Sequence, residues 1–375
     1  MFKKNIKKKK FFSKLIIFTP NIENGGVEKN LFLLSNYLNK KISDITIVTF
    51  NSLDRKFFPK NVNFVALKNV FNIKNRIFKN LICTILLIKI ILLNRKIIIL
   101  SFNSNLYATL LAKIFKIKII VRINTSHKKW ATNFIKKKIF KFFLKIPDAV
   151  IVNSNDLKKE IDMQFKINST CIFNPLNKNE IIKIKKNNTN LFGGNKKTLK
   201  ILFLGRLVDQ KDPLTFVRSV AKIPENINYR AIIVGSGFLK KKILKYIKKK
   251  SLDKKLHQID FTQKAMQYLS QCDLLILTSK FEGLPNVLLE AQFLKKYIIS
   301  TNCPTGPREI LLNGKAGELI ETNNSKKLSE KIINFYYNKN KSIYKKRIDL
   351  GFKNLNRFDF QKNCKKYFNL IKNLS

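Results

Sequence analysis

Cysteine is scarce and scattered. The five thiols, Cys83, Cys171, Cys272, Cys303 and Cys364, form no C-x-x-C pair, and an odd number argues against a disulfide framework. A reducing, cytosolic setting fits that usage. Histidine is scarcer still: only His127 and His257 are present. With no H-x-x-x-H, C-x-x-C or D-x-D-like cluster, nothing argues for a bound metal. Long apolar runs are missing too. A membrane-spanning helix needs roughly 20 apolar residues, and a secretory signal needs about 7–15 behind its basic start. The only apolar run near the basic N-terminus is Leu15–Phe18, which reads as a first buried strand. The segment Leu81–Leu93 is very apolar, but Lys89 interrupts it and Asn94-Arg95-Lys96 closes it. It reads as a buried or half-buried helix, the alternative being a helix that dips into a membrane interface. No helix-turn-helix, zinc-finger or RNP-like pattern points to nucleic acid.

Acidic residues are few, 23 against 75 basic ones, for a formal net charge of +52. Lysine supplies 65 of the basic residues and arginine only 10, and Ile, Asn and Phe are abundant as well. That resembles the amino-acid bias of an AT-rich genome, and coding bias inflates lysine without selecting for a partner. The functional reading is attraction to an anionic membrane surface or to phosphorylated substrates. The bland one is a solvated lysine-rich surface.

A chain of 375 residues suggests two domains, and its 45% apolar content is enough to fold both. Strand-like runs at Lys14–Thr19, Ile45–Phe50, Val62–Ala66, Lys96–Phe102, Lys118–Ile123 and Ala149–Asn153 alternate with helical patterns at Val27–Leu38, Leu81–Leu93 and Leu106–Phe115. Asn153-Ser154 is a good N-cap pair for a further helix. Asn177–Lys197 is rich in Lys and Asn and reads as the approach to a linker. A second alternating series follows, with strands at Ile201–Gly205, Arg230–Gly235, His257–Phe261, Leu274–Thr278 and Tyr297–Thr301. Such alternation implies βαβ units and a parallel sheet in each half. The expected division is 1–180, a linker at 181–197, 198–345, and a helical C-terminal segment at 346–375.

The chemistry concentrates where strands end. In Thr278–Ala291, TSKFEGLPNVLLEA, two carboxylates, Glu282 and Glu290, bracket a Gly283-Leu284-Pro285-Asn286 turn that opens a helix. Open α/β sheets bind ligands at the carboxyl ends of their strands. Backbone N–H groups at a helix start suit phosphate oxygens, and carboxylates accept hydrogen bonds from sugar or ribose hydroxyls. The plain alternative is a pair of surface helix charges. Gly205-Arg206-Leu207 and Gln210-Lys211-Asp212 follow another strand. Arg206 and Lys211 can reach a diphosphate together, one as a fork and one as a point charge, or be ordinary surface cations. Gly235-Ser236-Gly237 is either a ligand-lining loop or a tight turn. Gly25-Gly26 opens the first helix, where two glycines allow close approach of a ligand, or merely turn the chain. His127, in VRINTSHKKW, sits past a strand and could hydrogen-bond a sugar hydroxyl, or be an incidental surface group. His257 reads as structural or exposed.

On these residues the chain resembles the retaining GT-B-fold glycosyltransferases of family 4. The specific part is GRLVDQKDP, VGSG, SKFEGLPNVLLEA and TNCPTGPREILLNGKAGELI, with the Glu-x7-Glu spacing at Glu282 and Glu290. The resemblance implies an α/β fold with two Rossmann-like domains facing across a cleft and a C-terminal helix returning to the first. It implies a nucleotide-sugar donor, UDP-linked in this reading, and no metal. Arg206 and Lys211 would bind its diphosphate, Glu282 the sugar and Glu290 the ribose, with Gly25, Gly26 and His127 contributing from the first domain. The acceptor implied is a glycan or polyprenyl-diphosphate-linked glycan, at the inner face of the cytoplasmic membrane. One departure is FTQKAMQYL after Phe261, which lacks the glycine usual in the loop that helps bind the base. A nucleotide-sugar 2-epimerase shares the fold and is one rival; a non-enzymatic basic protein of membrane surfaces is the other.

Overall fold

The structure is a computed structural model that describes residues 14–375 apart from 24, 69–72, 74, 128–129, 131–132, 185–189 and 196. The basic tail ahead of Lys14, and residues 185–189 and 196 of the expected linker, lie outside the described residues. The chain divides into two compact units. One takes the chain up to Asn153, then Lys158–Pro175 and Phe360–Ser375; the other takes Ser154–Leu157 and Leu176–Asp359.

The first unit is built on a parallel sheet of β1 (Lys14–Phe18), β2 (Ile45–Asn51), β3 (Asn63–Leu67), β4 (Ile97–Ser101), β5 (Lys118–Ile123), β6 (Ala149–Val152) and β7 (Thr170–Cys171). Their order is β3-β2-β1-β4-β5-β6-β7. Runs such as LIIF and IIILS carry apolar residues at consecutive positions because both sheet faces are covered. Helices α1 (Gly26–Leu38), α2 (Arg76–Leu93), α3 (Asn105–Phe115), α4 (Phe134–Leu144) and α5 (Asn155–Phe165) connect the strands. One core packs α1 against the sheet, and a second packs α2 and α3 against the opposite face. In α2 only Cys83, Leu87 and Ile91 are fully buried, while Leu81, Ile85 and Leu92 are exposed. The helix is half-buried. Among the described residues no helix is long and apolar enough to cross a membrane.

Past Leu176 the second unit continues with a helix, α6 (Lys178–Ile184), which spans the expected boundary at 180 and overlaps the start of the stretch expected to be a linker. That segment is held by packing: Ile181 and Phe192 are buried, and Phe192 meets Tyr268 at 6.1 Å. The second sheet is β8 (Leu199–Leu204), β9 (Tyr229–Val234), β10 (Leu256–Ile259), β11 (Leu274–Leu277), β12 (Tyr297–Thr301) and β13 (Glu318–Ile320). It is also parallel, in the order β10-β9-β8-β11-β12-β13, so β8 and β11 are central neighbours. Around it lie α7 (Pro213–Val220), α8 (Lys240–Lys249), α9 (Ala265–Gln271), α10 (Asn286–Phe293), α11 (Pro307–Ile310), α12 (Ser325–Asn338) and α13 (Ser342–Asn354).

The last helix, α14 (Phe360–Leu374), belongs to the first unit; residues 346–359 belong to the second. Cys364, Tyr367 and Ile371, spaced along one face of α14, enter the same core as α1. Tyr367 also serves the fully buried Arg122 of β5. Arg122 Nε donates to Tyr367 Oη at 2.7 Å, Nη2 donates to Asn174 Oδ1 at 2.6 Å, and the guanidinium lies 4.9 Å from the Phe102 ring centre. A buried charge persists only when its donors are matched.

Candidate functional site

In the second unit the loops after β8 and β11 are laced together. Gln210 Nε2 donates to the Phe281 carbonyl at 3.0 Å, and Lys280 N donates to the Gln210 carbonyl at 2.8 Å. Thr278 Oγ1 bonds the carbonyls of Lys211 and Asp212. Asp212 caps α7, its carboxylate accepting from Thr215 N and, at 2.6 Å, from Thr215 Oγ1. That cap, with Pro213 at the first helical position, ends the loop and fixes where Lys211 leaves the backbone.

The lacing brings Lys211 and Glu282 together. Lys211 Nζ lies 2.5 Å from Glu282 Oε1, and Ser279 Oγ donates to the same oxygen at 2.5 Å. Glu282 is buried, and its loop is anchored from the other side by Glu282 N donating to the Pro304 carbonyl at 2.7 Å. Gly283, Leu284 and Pro285 then lead to Asn286, the first residue of α10, with Pro285 as N-cap and no side-chain cap bond. The amides at the start of α10 therefore have no side-chain oxygen from the N-cap to satisfy them. Glu290 is buried one turn inside α10. Arg206 is exposed at the end of β8, on the loop that carries Lys211.

Two glycines are explained by close approach of backbones. A Cβ on Gly235 (φ +153°) would stand 1.9 Å from the Gly205 carbonyl oxygen. One on Gly306 (φ +87°) would stand 2.0 Å from that of Gly283. The VGSG segment thus packs directly on the loop bearing Arg206, where Leu207 N donates to the Ser236 carbonyl at 2.9 Å. Ser236 also receives Phe261 N on its Oγ at 3.0 Å, which ties down the start of the glycine-free FTQKAMQYL segment. His257 is exposed on β10.

In the first unit Gly25 is the N-cap of α1 and its N donates to Glu28 Oε2 at 3.0 Å, a capping box. Burial pushes the Glu28 carboxyl above its ordinary value although backbone hydrogen bonds oppose the shift. His127 is buried, and its Nδ1 lies 2.7 Å from Glu160 Oε1. Glu160 Oε1 also accepts from His127 N at 2.9 Å and from Ser126 Oγ at 2.6 Å. The ring stands edge-on to Trp130 and Phe165, which stack on each other at 5.4 Å. A carboxylate on Nδ1 fixes the orientation of the ring. Glu160 lies on α5, 33 residues beyond His127, and no local spacing in the sequence announces that pairing. Among the described residues no group of three or more His, Cys, Asp or Glu side chains is placed to hold a metal.

Two parallel α/β sheets, with a Lys–Glu pair where adjacent central strands of one of them end, define a two-unit α/β protein with a candidate ligand site at a sheet's carboxyl edge. Family comparison gives the class its name. Residues 24–179 match the family Glycosyltransferase Family 4, and residues 185–350 match Glycosyl transferases group 1. The chain belongs to the GT-B glycosyltransferases of the family 4 type. It is 34% identical to an uncharacterized glycosyltransferase of Methanocaldococcus jannaschii over 54% of this chain and 53% of that protein. It is 27% identical to the amylovoran biosynthesis glycosyltransferase AmsD of Erwinia amylovora, over 80% of this chain and 83% of that one. It is 25% identical to N-acetylgalactosamine-N,N'-diacetylbacillosaminyl-diphospho-undecaprenol 4-alpha-N-acetylgalactosaminyltransferase of Campylobacter jejuni, over 83% and 87%. Among solved structures, a glycosyltransferase from Rickettsia africae superposes with a TM-score of 0.77 at 19% identity, over 97% of this chain and 99% of that one. Anabaena Alr3699/HepE in complex with UDP-glucose gives 0.76 at 16% identity, over 96% and 100%. The non-enzymatic alternative gives way to these matches.

Proposed function

We propose that this chain transfers a hexose or N-acetylhexosamine from a nucleotide-sugar to a lipid-linked glycan, with retention at the anomeric carbon. The observation that carries the reading is the Lys211–Glu282 pair, a cation and a carboxylate 2.5 Å apart where β8 and β11 end. In this reading the donor separates the pair. Lys211 and Arg206 turn to its diphosphate together with the N–H groups of Gly283, Leu284 and Asn286, Glu282 accepts from the sugar hydroxyls, and Glu290 accepts from the ribose. Gly25 and Gly26 approach the phosphates and the acceptor. His127, oriented by Glu160, meets a sugar hydroxyl.

The acceptor oxygen forms its bond to the anomeric carbon on the face from which the diphosphate departs. The anomeric carbon–oxygen bond breaks toward the diphosphate, whose oxygen takes the acceptor proton. Cationic side chains and backbone dipoles aimed at the departing oxygens supply the stabilisation, and the reading assigns that work to Arg206 and Lys211 with no metal. Lysine and Ser279 already occupy the Glu282 oxygen, which suits a binding carboxylate better than a covalent nucleophile. A UDP-linked donor is supported by the UDP-glucose complex of the Anabaena neighbour, and a polyprenyl-diphosphate carrier by the name of the Campylobacter relative. Both would place the work at the inner face of the cytoplasmic membrane.

The direct test is transfer by Arg206→Ala and Glu282→Ala, assayed after a panel of UDP-, GDP- and dTDP-sugars has been screened for thermal stabilisation. Each variant should lose about 10²-fold or more in kcat/KM, the scale of removing one group that stabilises developing charge. Near-normal rates in both would sink the site. A new nucleotide-sugar formed without acceptor would establish the epimerase instead.

A further inference from the structure

The charge of this chain is unevenly placed. From Arg55 to Pro147 the sequence holds no Asp or Glu, although the whole chain has 23; beyond the gap Asp148, Asp156, Glu160 and Asp162 follow in quick succession. A coding bias toward lysine raises the basic count everywhere and does not by itself remove acids from one stretch. That stretch carries α2, α3 and α4. On α4 the exposed residues include Ile135 at 68%, Ile139 at 44% and Phe142 at 56%, set among Lys136, Lys138 and Lys141. The row repeats every three to four residues, so it occupies one outer face while Leu144 turns inward. On α3, Leu110 and Ile114 are exposed on either side of Lys113, whose Nζ lies 4.7 Å from the centre of the Phe142 ring. The two outer rows therefore form one surface. Leu81, Ile85 and Leu92 are likewise exposed on α2, which shares a core with α3.

These apolar residues lie outside the described cores, and contiguous apolar area of this kind marks an interaction surface. Its lysines select the occupant. Aliphatic and aromatic tips set among lysines, with no carboxylate from Arg55 to Pro147 and with Asp148 just beyond paired to Lys118 at 2.8 Å, match the boundary between acyl chains and anionic headgroups. Lysine stems can lie along the apolar face while their ammonium groups reach lipid phosphates. We propose that the outer face of α3 and α4 docks on an anionic bilayer surface. The inference rests on the reading that the acceptor is lipid-borne and adds which face meets the lipid; its test does not depend on turnover.

The test is flotation of the full chain with vesicles of phosphatidylcholine, with and without phosphatidylglycerol. Binding should require phosphatidylglycerol. Each lysine near an anionic surface contributes roughly a fivefold factor, so Lys136→Glu/Lys138→Glu/Lys141→Glu should weaken binding at least tenfold. Ile139→Ser/Phe142→Ser should do the same with an unchanged melting temperature. Lys241→Glu/Lys245→Glu/Lys248→Glu on α8 makes the same change in charge on exposed lysines of the second unit, and should leave binding within about twofold if the face and not the bulk charge is responsible. Equal loss in the α8 variant overturns the proposal, as does wild-type binding by either folded α4 variant. Vesicle binding without any glycosyl transfer would defeat the functional reading and leave this surface standing; transfer to a lipid-linked acceptor without vesicle binding would do the reverse.

Discussion

Replacing Lys211 by Met separates what the ion pair does for stability from what it does for turnover. The two side chains are 16% and 8% exposed, so removing the lysine leaves the Glu282 carboxylate largely out of water. Breaking a buried pair from one side costs about 3–5 kcal/mol. Ser279 Oγ still donates to the carboxylate at 2.5 Å, which lowers the expectation to about 2–3 kcal/mol. At about 2–4 °C per kcal/mol for a unit of this size, the transition of the second unit should fall by about 4–12 °C. Glu282→Gln should cost less, because the lysine it frees can reach solvent. The double variant should then recover at least about 1 kcal/mol of the summed losses, since neither stranded charge remains. Turnover should show no such recovery, as the diphosphate cation and the sugar-binding carboxylate would both be gone. Calorimetry and a transfer assay on the four proteins measure both. Losses in stability that add to within about 0.5 kcal/mol would refute the coupling, and an active double variant would refute the roles.

Three further outcomes follow from single contacts. Gly235→Ala should destabilise the second unit by about 2–4 kcal/mol in chemical unfolding, because its Cβ would meet the Gly205 carbonyl oxygen at 1.9 Å; Gly205→Ala, whose nearest contact is 3.7 Å, should be mild, and equal effects would contradict the packing. Tyr367→Phe should cost about 1–3 kcal/mol in urea unfolding by leaving Arg122 Nε unmatched, and an unchanged midpoint would show that this buried bond adds nothing. Glu318 is pushed up by burial but held below its ordinary 4.5 by Lys331 and Arg347. A lowered folded value means the stabilisation is complete above that pH and lost as pH falls through the lower value. Melting temperatures should therefore drop below about pH 4.5, less steeply in Glu318→Gln; parallel curves would exclude this carboxylate as the cause.

The strands were legible because a parallel sheet covered on both faces demands unbroken apolar runs. Lys118–Ile123 and Tyr297–Thr301 appear where the pattern puts them. The Glu282–Glu290 segment was legible for a related reason, since a turn between a buried strand and an apolar helix marks a strand's carboxyl end. Other features depend on distance through the fold. Helix α6 hides in Asn177–Lys197, where Lys and Asn mask a short packed face. The three-residue β13 is too brief to show a period. The glycines of VGSG read equally well as ligand-lining or as turn, and only the nearness of Gly205 explains Gly235. Glu160 is one acid among helical charges until the fold sets it against His127.

The return of α14 to the first unit has a consequence for biosynthesis. Arg122 waits for a partner 245 residues downstream. At about 5–20 residues per second, the ribosome needs roughly 12–50 s to deliver Tyr367 after Arg122 has emerged. Through that interval the first sheet lacks the helix that supplies Cys364, Tyr367 and Ile371, and a guanidinium sits in an unfinished core. The first half of the chain to be made is among the last parts to be completed, so translation pauses within Ser154–Asp359 should favour aggregation or chaperone capture more than pauses before it.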